Sequence, residues 1–367
     1  MESPEYLQMS LAAAMTLKFR EGKFYRDAKL YCINLLMTYE NGCMASCAYC
    51  GLNKKRENVT SHAEKSFIRV DWPTHSLDDI IKALNSEVAP HVERVCVSMV
   101  TNARSKEDTL TVVQKIHEQT DKLISGLIAP TLVNEEWLKK LKLAGADKVG
   151  VAIDLINPDL FDKYRGSGVK GPHKWDKYWN ILLKSREIFG PENVSVHLIT
   201  GMDETEEEMV KFFQTLQDLA VQVHLFSFFP EPCSALESRT QPGIGNYRRI
   251  QLARYLISKS LSHYEKFQFN DKGMITDFGL SNEKLDNIIA EGKAFMTSGC
   301  SGKTLEVACN RPFANCTPFQ SHMGETRNFP FIPNEKDIEL IKKQLKDYDP
   351  NSYVKTIDKA EIFISNN

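Results

Sequence analysis

The chain of 367 residues lacks both a long hydrophobic run and an excess of charge of one sign. No stretch approaches the roughly 20 apolar residues that span a bilayer. The 46 basic and 48 acidic residues leave a formal net charge of −2, so nothing favours binding to nucleic acid or to an anionic membrane. Residues 1–5 include two glutamates and no basic residue, so they do not resemble the basic start of a secretory signal. We therefore expect a cytoplasmic protein.

Internal repeats and low-complexity tracts are also missing, and short apolar runs instead alternate with amphipathic segments. The runs cover residues 30–36, 92–99, 123–129, 148–153, 194–200 and 221–228. The amphipathic segments cover residues 77–88, 106–121, 134–144, 174–188, 204–219 and 246–260. Such alternation predicts an α/β fold of parallel strands joined by right-handed helical crossovers. Periodicity alone does not distinguish an open doubly wound sheet from a barrel.

Two helix starts are marked by capping residues. Ser76 precedes an acidic first turn, and Thr205 is followed three residues later by Glu208. The second pair predicts a capping box, in which two side chains satisfy amides that have no partner within the helix. Helical spacing is also present over residues 6–18 and 334–347, which we interpret as an N-terminal cap and a late amphipathic helix.

Nine cysteines are present, and without a secretory signal they indicate metal binding rather than disulfides. Cys43, Cys47 and Cys50 form a C-x3-C-x2-C motif, with Tyr49 directly before the last cysteine. Three thiolates this close can hold three irons of a [4Fe–4S] cluster and leave the fourth iron open. The alternatives are a zinc loop that lacks one ligand and a chance group of buried thiols.

With this motif in view, the chain resembles the radical SAM superfamily, and over roughly residues 30–230 its biotin-synthase-like members. The resemblance implies a (β/α)6 partial TIM barrel. It also implies that Cys43, Cys47 and Cys50 hold a catalytic [4Fe–4S] cluster whose open iron binds S-adenosylmethionine. In such enzymes the cofactor is cleaved reductively to a 5′-deoxyadenosyl radical.

The same resemblance divides the chain into three parts. Residues 1–28 would form a helical cap, residues 29–265 the partial barrel, and residues 266–367 a C-terminal extension. Residues 270–330 are rich in Gly, Ser, Cys, Asn and Pro, and we expect them to close over the barrel mouth. Residues 353–364 are expected to form a terminal strand or tail.

Several residues are candidates for binding S-adenosylmethionine, because active-site groups of α/β barrels gather at the carboxyl ends of the strands. The glycine-glycine-glutamate signature of the family is missing after the second barrel strand, which leaves Ser98, Thr101 or Asn102 for the amino group. Arg165 suits the carboxylate, with His173 and Lys174 as rivals. The full set of candidate cofactor contacts is Tyr49, Ser98, Thr101, Asp154, Arg165, His173, Ile199 and Gly201. For Asp154 the alternative is a helix N-cap.

A second group of cysteines, Cys300, Cys309 and Cys316, lies in the irregular C-terminal segment. Three thiols on one such segment suggest an auxiliary [4Fe–4S] cluster, although zinc accepts the same ligands. Cys32 is a possible fourth ligand, but a single cysteine on a strand is more commonly a small core residue.

The reaction is the least determined feature. Biotin synthase places cysteines on its second, third and fifth strands, and here only Cys96 on the second fits, so biotin synthesis is not expected. The cysteine-bearing tail resembles a component of the archaeal-type, two-protein lipoyl synthase. That resemblance implies sulfur insertion at an unactivated C–H bond of an octanoylated carrier protein. A second radical SAM enzyme and a ferredoxin or flavodoxin would be its other partners.

Two other functions remain open. A methylornithine-synthase-like rearrangement would use the same barrel without transferring sulfur. An iron–sulfur electron-transfer or scaffold protein would use the cysteines without cleaving S-adenosylmethionine.

Overall fold

The computed structural model describes residues 1–53, 56, 66–67, 70–311, 316 and 318–349. Strands and helices follow in the order β1 (Tyr6–Met9), α1 (Leu11–Thr16), β2 (Cys32–Met37), β3 (Ser66–Phe67), β4 (Val70–Asp71), β5 (Thr74–Ser76), α2 (Leu77–Leu84), β6 (Arg94–Ser98), α3 (Ser105–Gln119), β7 (Leu123–Ile128), α4 (Glu135–Leu143), β8 (Lys148–Asp154), α5 (Pro158–Arg165), α6 (Trp175–Phe189), β9 (Val194–Thr200), α7 (Glu206–Asp218), β10 (Gln222–Ser227), α8 (Ile244–Ser258), β11 (Gln268–Phe269), β12 (Ile275–Asp277), α9 (Asn282–Glu291), α10 (Pro318–His322) and α11 (Glu335–Leu345).

The main sheet has the strand order β10-β9-β8-β7-β6-β2-β1-β5. Six strands of this sheet are parallel and lie side by side in chain order, namely β2, β6, β7, β8, β9 and β10. Helices lie between successive strands in the chain, as right-handed βαβ units require. The predicted (β/α)6 partial barrel is therefore confirmed, and the carboxyl ends of its strands meet at one edge.

The barrel strands form where the sequence is almost continuously apolar, because strands covered on both faces bury nearly every side chain. β9 coincides with the predicted run, and the other five parallel strands differ from theirs by a few residues at the ends. The predicted caps are present. Ser76 Oγ accepts a hydrogen bond from the Asp79 amide at 3.1 Å, and Thr205 with Glu208 forms the capping box that begins α7.

The N-terminal segment differs from the prediction of a helical cap. Residues 6–9 form β1, which pairs antiparallel with both β2 and β5, and helix α1 begins only after Ser10. Ser10 Oγ accepts the Ala13 amide at 3.2 Å. Strand pairing across the chain thus outweighs the helical spacing of the first residues. Helix α5, which was not predicted, begins at an Asn157 cap followed by Pro158.

The C-terminal segment 297–310 closes the barrel at the end opposite to the one predicted. Arg94, the first residue of β6, donates from Nε to the Ser301 carbonyl at 2.7 Å. Asn310 Oδ1 accepts the amide of Tyr31, directly before β2, at 3.1 Å. These contacts lie at the amino ends of the strands, so the prediction that residues 270–330 cover the barrel mouth is wrong for this part. Later in the same range, Arg327 Nη1 donates to Ser227 Oγ at the carboxyl end of β10, at 2.8 Å.

Further along the chain, the predicted helix at residues 334–347 is confirmed as α11. The predicted terminal strand at residues 353–364 lies outside the described residues. Among the helices that the structure describes, none combines the length and apolar character needed to cross a bilayer.

Candidate active site

The cluster loop, residues 38–53, follows β2 and therefore lies at the carboxyl end of the barrel. Two hydrogen bonds fix it to neighbouring segments. The Met44 amide donates to the Thr101 carbonyl at 2.7 Å, and the Ala48 amide donates to the Tyr164 carbonyl at 2.8 Å. The loop is thereby tied both to the segment after β6 and to α5.

The thiols of Cys43, Cys47 and Cys50 line one cavity. Burial raises the pKa of the Cys47 thiol to about 11 and that of Cys50 well above its ordinary value. Binding of a metal by Cys47 and Cys50 would therefore release protons, because only thiolates act as ligands. The Leu52 amide lies 3.4 Å from Cys50 Sγ and donates to it, a contact of the kind that tunes metal-bound sulfur.

A chain of buried polar groups lies beside this loop. The Tyr49 hydroxyl donates to Asp154 Oδ2 at 2.6 Å, and Arg165 Nη1 donates to the same oxygen at 2.6 Å. Arg165 Nη1 also donates to the Ala152 carbonyl, and Nη2 donates to the Tyr178 hydroxyl at 3.2 Å. Asp154, at the end of β8, has a φ of +65°. Such a conformation is unusual for a residue other than glycine and is typical of functional sites.

These contacts change the interpretation of two predicted cofactor residues. Asp154 and Arg165 both line the cavity, but each is already engaged with the other. A carboxylate brought by a cofactor would share the Arg165 guanidinium with Asp154. The predicted alternative for Asp154, an N-cap, is not seen, since Asn157 caps α5.

His173, the rival ligand for the carboxylate, also lines the cavity. Burial, and secondarily the nearby Arg165, lower its pKa to about 2. The imidazole is therefore neutral at physiological pH. Its Nδ1 lies 2.7 Å from Thr131 Oγ1 and 3.0 Å from the Tyr178 hydroxyl. His173 can offer a cofactor a hydrogen bond but no positive charge.

The other predicted contacts divide into two sets. Ser98, Thr101 and Ile199 line the cavity, whereas Gly201 is not among its described lining residues. The Gly201 amide donates to Glu204 Oε1 at 2.6 Å. Its φ is +96°, and a Cβ there would lie 2.7 Å from a side-chain atom of Pro242. Gly201 thus shapes the turn after β9, and binding of the cofactor by all four residues stays a prediction.

The cavity has a volume of about 320 Å³ and runs down into the barrel. Towards the carboxyl ends of the strands the cavity is lined by the cluster loop, and further into the barrel it is lined by Cys96, Cys300 and Cys309. Apolar side chains make up much of the wall between them, including Leu36, Met99, Val100, Leu127, Ile128, Phe226 and Phe228. Its size lies within the usual range for small-molecule pockets, about 300–1,000 Å³.

The structure brings two of the three predicted tail cysteines together. The Cys309 amide donates to the Cys300 carbonyl at 3.0 Å, and both side chains line the cavity. Cys316 is buried but is not among the described lining residues, and it acts electrostatically on Arg248 of α8. Its predicted role as a metal ligand finds no support in this geometry and stays a prediction.

Two cysteines outside the predicted site set join the tail cysteines. Cys309 acts electrostatically both on Cys32 of β2 and on Cys96 of β6. Cys32 was considered as a fourth ligand, and Cys96 only for its place on the second barrel strand. The sequence alone does not show which residues of β2 and β6 lie opposite each other. The structure places Asn34 opposite Cys96, and this register brings Cys32 and Cys96 close together.

A sequence comparison decides the family of the barrel. Residues 37–216 match the sequence model of the Radical SAM superfamily. The chain contains a radical SAM domain. Such a domain implies a [4Fe–4S] cluster and S-adenosylmethionine, and the three thiols of the cluster loop, which line one cavity, fit such a cluster. Among the described residues no three His, Cys, Asp or Glu side chains converge on a single ion.

Individual curated relatives of the radical SAM domain are similar only over short segments. GTP 3′,8-cyclase of Microcystis aeruginosa (strain NIES-843 / IAM M-2473) is 35% identical over 66 residues, which are 18% of this chain and 20% of the cyclase. GTP 3′,8-cyclase of Rippkaea orientalis (strain PCC 8801 / RF-1) is 32% identical over 71 residues, 19% and 21% of the two chains. The chain thus matches about a fifth of the length of these relatives.

Solved structures are similar over more of the chain but at low identity. Methylornithine synthase (PylB) shares 14% identity with a TM-score of 0.47, over 68% of this chain and 67% of that one. The FeFe-hydrogenase maturase HydG from Carboxydothermus hydrogenoformans shares 15% identity with a TM-score of 0.47, over 68% and 56%.

Proposed function

We propose that this protein is a radical SAM sulfurtransferase, which inserts sulfur at an unactivated C–H bond of an octanoyl chain in lipoyl cofactor synthesis. One observation carries the proposal: a single cavity connects the cluster loop with Cys300 and Cys309. A substrate carbon in this cavity would have a radical source on one side and a sulfur source on the other.

The chemistry divides between the two ends of the cavity. When bound, a reduced cluster on Cys43, Cys47 and Cys50 supplies one electron to break the C5′–S bond of S-adenosylmethionine. This cleavage would provide the 5′-deoxyadenosyl radical that abstracts hydrogen from the substrate carbon. At the other end of the cavity, Cys300 and Cys309 would hold the group that supplies sulfide for the new C–S bond and takes up the remaining electron.

The residues between the two ends suit an aliphatic substrate. The side chains of Leu127, Ile128 and Phe226 offer no polar partner, so a hydrocarbon chain loses no hydrogen bonds on entering. An apolar wall also excludes water, which limits side reactions of a carbon radical. Under this proposal the octanoyl chain arrives on a carrier protein. A ferredoxin or flavodoxin supplies electrons, and a second radical SAM enzyme acts as a further partner.

A second candidate function is a radical rearrangement without sulfur transfer. It is favoured by polar side chains deep in the cavity, among them Asn34, Ser195, His197 and His224. Such groups would hold a small polar substrate better than the end of an octanoyl chain. The two candidates therefore differ in what occupies the lower half of the cavity.

The deciding experiment is mass spectrometry of an octanoylated lipoyl-domain peptide after anaerobic incubation. The reaction contains reconstituted protein, dithionite and S-adenosylmethionine, and Cys47→Ala serves as the matched control. A gain of sulfur with wild type and none with the variant supports the proposal. Formation of 5′-deoxyadenosine without any gain of sulfur, with and without a second radical SAM enzyme, would favour rearrangement.

A further inference from the structure

We propose that Cys32, Cys96, Cys300 and Cys309 together ligate an iron–sulfur cluster, a [4Fe–4S] cubane, inside the amino end of the barrel. This set replaces Cys316 with two strand cysteines. The inference rests on the proposed function for the cluster's role as a sulfur donor, but the binding of the cluster can be tested separately.

The strand register brings the first two thiols to one place. β2 and β6 run parallel with Cys32 opposite Arg94 and Asn34 opposite Cys96. Alternate residues of a strand face the same side, and Asn34 and Cys96 both line the cavity, so Cys32 faces the interior as well. Asn34 Nδ2 lies 4.0 Å from Cys32 Sγ and 3.6 Å from Cys309 Sγ.

The tail supplies the other two thiols through a tightly closed loop. The amides of Ala308 and Cys309 both donate to the Cys300 carbonyl, at 2.9 and 3.0 Å. A Cβ on Gly299 would lie 1.9 Å from the Cys309 carbonyl oxygen, so only glycine allows this approach. Cys309 acts electrostatically on both Cys32 and Cys96, and its Sγ lies 3.6 Å from Asn34 Nδ2 between the two strands.

Anchors at the barrel base keep this loop in place. The Glu93 carboxylate accepts the Thr304 amide at 3.1 Å, and Arg94 holds the Ser301 carbonyl. Arg94 is fully buried and its guanidinium also binds Asp147 through two contacts of 2.7 Å. A loop fixed this firmly is suited to presenting ligands in a set geometry.

An iron–sulfur cluster fits the four thiols better than zinc does. Zinc requires four ligands about 2.3 Å from one ion, and no three potential ligands among the described residues converge in that way. In a cubane each thiolate binds a different iron, so the sulfurs stand further apart. The described cysteines of the cluster loop show the same absence of a single-ion site.

The surroundings suit a cluster with net negative charge. Arg94 and Lys148 both act electrostatically on Cys300. His224, on β10, is buried and acts on Cys309, and its Nε2 has no hydrogen-bond partner among the described residues. A buried nitrogen without a partner is costly in the metal-free chain. Beside a cluster, the Nε2–H tautomer would donate to an inorganic sulfide.

The test separates this site from the radical SAM cluster by removing the latter. A Cys43→Ala/Cys47→Ala/Cys50→Ala variant is reconstituted anaerobically with ⁵⁷Fe and sulfide. We expect about four irons and four sulfides per chain, with the Mössbauer spectrum of a cubane. Adding Cys96→Ala and Cys309→Ala should remove nearly all of this iron. Adding Cys316→Ala instead should leave it in place.

The inference is overturned if adding Cys316→Ala removes the iron, or if adding Cys96→Ala and Cys309→Ala leaves it in place. It is also overturned if the triple variant binds about one zinc per chain and no iron. Circular dichroism of each variant monitors folding. If the Cys96→Ala/Cys309→Ala variant does not fold, X-ray absorption of the triple variant decides, since four cysteines predict an all-sulfur iron environment. Intact iron binding without sulfur transfer to a peptide would reject the proposed function and leave this site standing.

Discussion

The two ends of the barrel hold cysteine groups that the chain assembles in different ways. At the carboxyl end, Cys43, Cys47 and Cys50 come from eight consecutive residues on one loop. At the amino end, thiols from two strands meet a tail loop, and 275 positions separate Asn34 from its contact Cys309. A local site is visible in residue spacing, whereas a site built from distant segments becomes visible only through strand register and tertiary contacts.

Each end also depends on a buried arginine, and the two arginines differ in the exposure of their partners. Arg165 pairs with Asp154, whose side chain is 14% exposed. Arg94 pairs with Asp147, whose side chain is 37% exposed. The carboxyl end therefore contains the more deeply buried ion pair, and the amino end a pair whose acid can be hydrated.

The largest expected effect comes from breaking the local site. Cys47→Ala removes one of the three thiolates, and the cluster is then incompletely held. We expect 5′-deoxyadenosine formation to fall by about 100-fold or more, while iron at the amino end is retained. Chromatography of the nucleoside after dithionite reduction measures the first, and iron analysis the second. Cofactor cleavage at the wild-type rate would show that the loop has been assigned wrongly.

The next effect comes from breaking the distant site. Cys309→Ala removes the thiol on which Cys32 and Cys96 converge. We expect S-adenosylmethionine cleavage to continue while the sulfur-containing product disappears, because the radical source at the other end is untouched. Parallel assays of 5′-deoxyadenosine and of the peptide product separate the two activities. Full product formation by this variant would exclude a sulfur-donating role for the amino end.

Substituting each buried arginine by methionine sharpens the comparison. Arg165→Met leaves Asp154 buried without its cation, and we expect a loss of about 3–5 kcal/mol of stability. Arg94→Met should cost less, because Asp147 can be hydrated, but should lower the iron bound at the amino end by releasing the tail loop. Urea unfolding of metal-free protein measures the stabilities. The distinction between the two ion pairs would be contradicted if both variants lost the same free energy of unfolding. It would also be contradicted if Arg94→Met lowered the bound iron equally at both ends of the barrel.

The smallest effect is electrostatic and lies at the carboxyl end. Partial burial raises the pKa of Asp203, but hydrogen bonds from Lys163, Tyr164 and Arg239 outweigh it and hold the pKa well below its ordinary value. A lowered pKa adds stability that is present above the unfolded value and lost as pH falls through the folded one. Asp203→Asn should therefore cost about 1 kcal/mol at neutral pH.

The same variant should match wild type increasingly well as the pH falls below about 4. Urea-unfolding midpoints measured between pH 7 and pH 3 follow this change. A difference that stays constant over the range would mean that the Asp203 carboxylate does not act through its charge.

Much of the barrel could be predicted because its signals are local. Continuous apolar runs predicted the parallel strands, and Thr205 with Glu208 predicted the start of α7. The N-terminal strand β1 was missed because the alternation of Leu7 and Met9 covers only four residues and runs directly into the helical spacing that follows, whereas pairing with β2 fixes these residues as a strand. Helix α5 was missed although Asn157 and Pro158 carry an ordinary start signal.

The site was predictable to the same extent. Cluster-loop spacing placed three thiols together, and strand ends placed Ser98, Asp154 and Ile199 on the cavity. Nothing local indicates that Asp154 and Arg165 bind each other. The end of the barrel that the tail closes was also hidden, since it depends on contacts such as that between Arg94 and Ser301, 207 positions apart.

The loop of residues 300–309, at the amino end of the barrel, has a consequence for how the protein is assembled. The cluster loop is complete once residue 53 has been synthesised, but residues 300 and 309 follow only after all six parallel strands. Contacts between such distant segments form late, after the intervening strands have paired. A cluster at the proposed site would therefore be loaded only after residues 300–309 have been synthesised, and until they dock, Cys32 and Cys96 lack their two partner thiols.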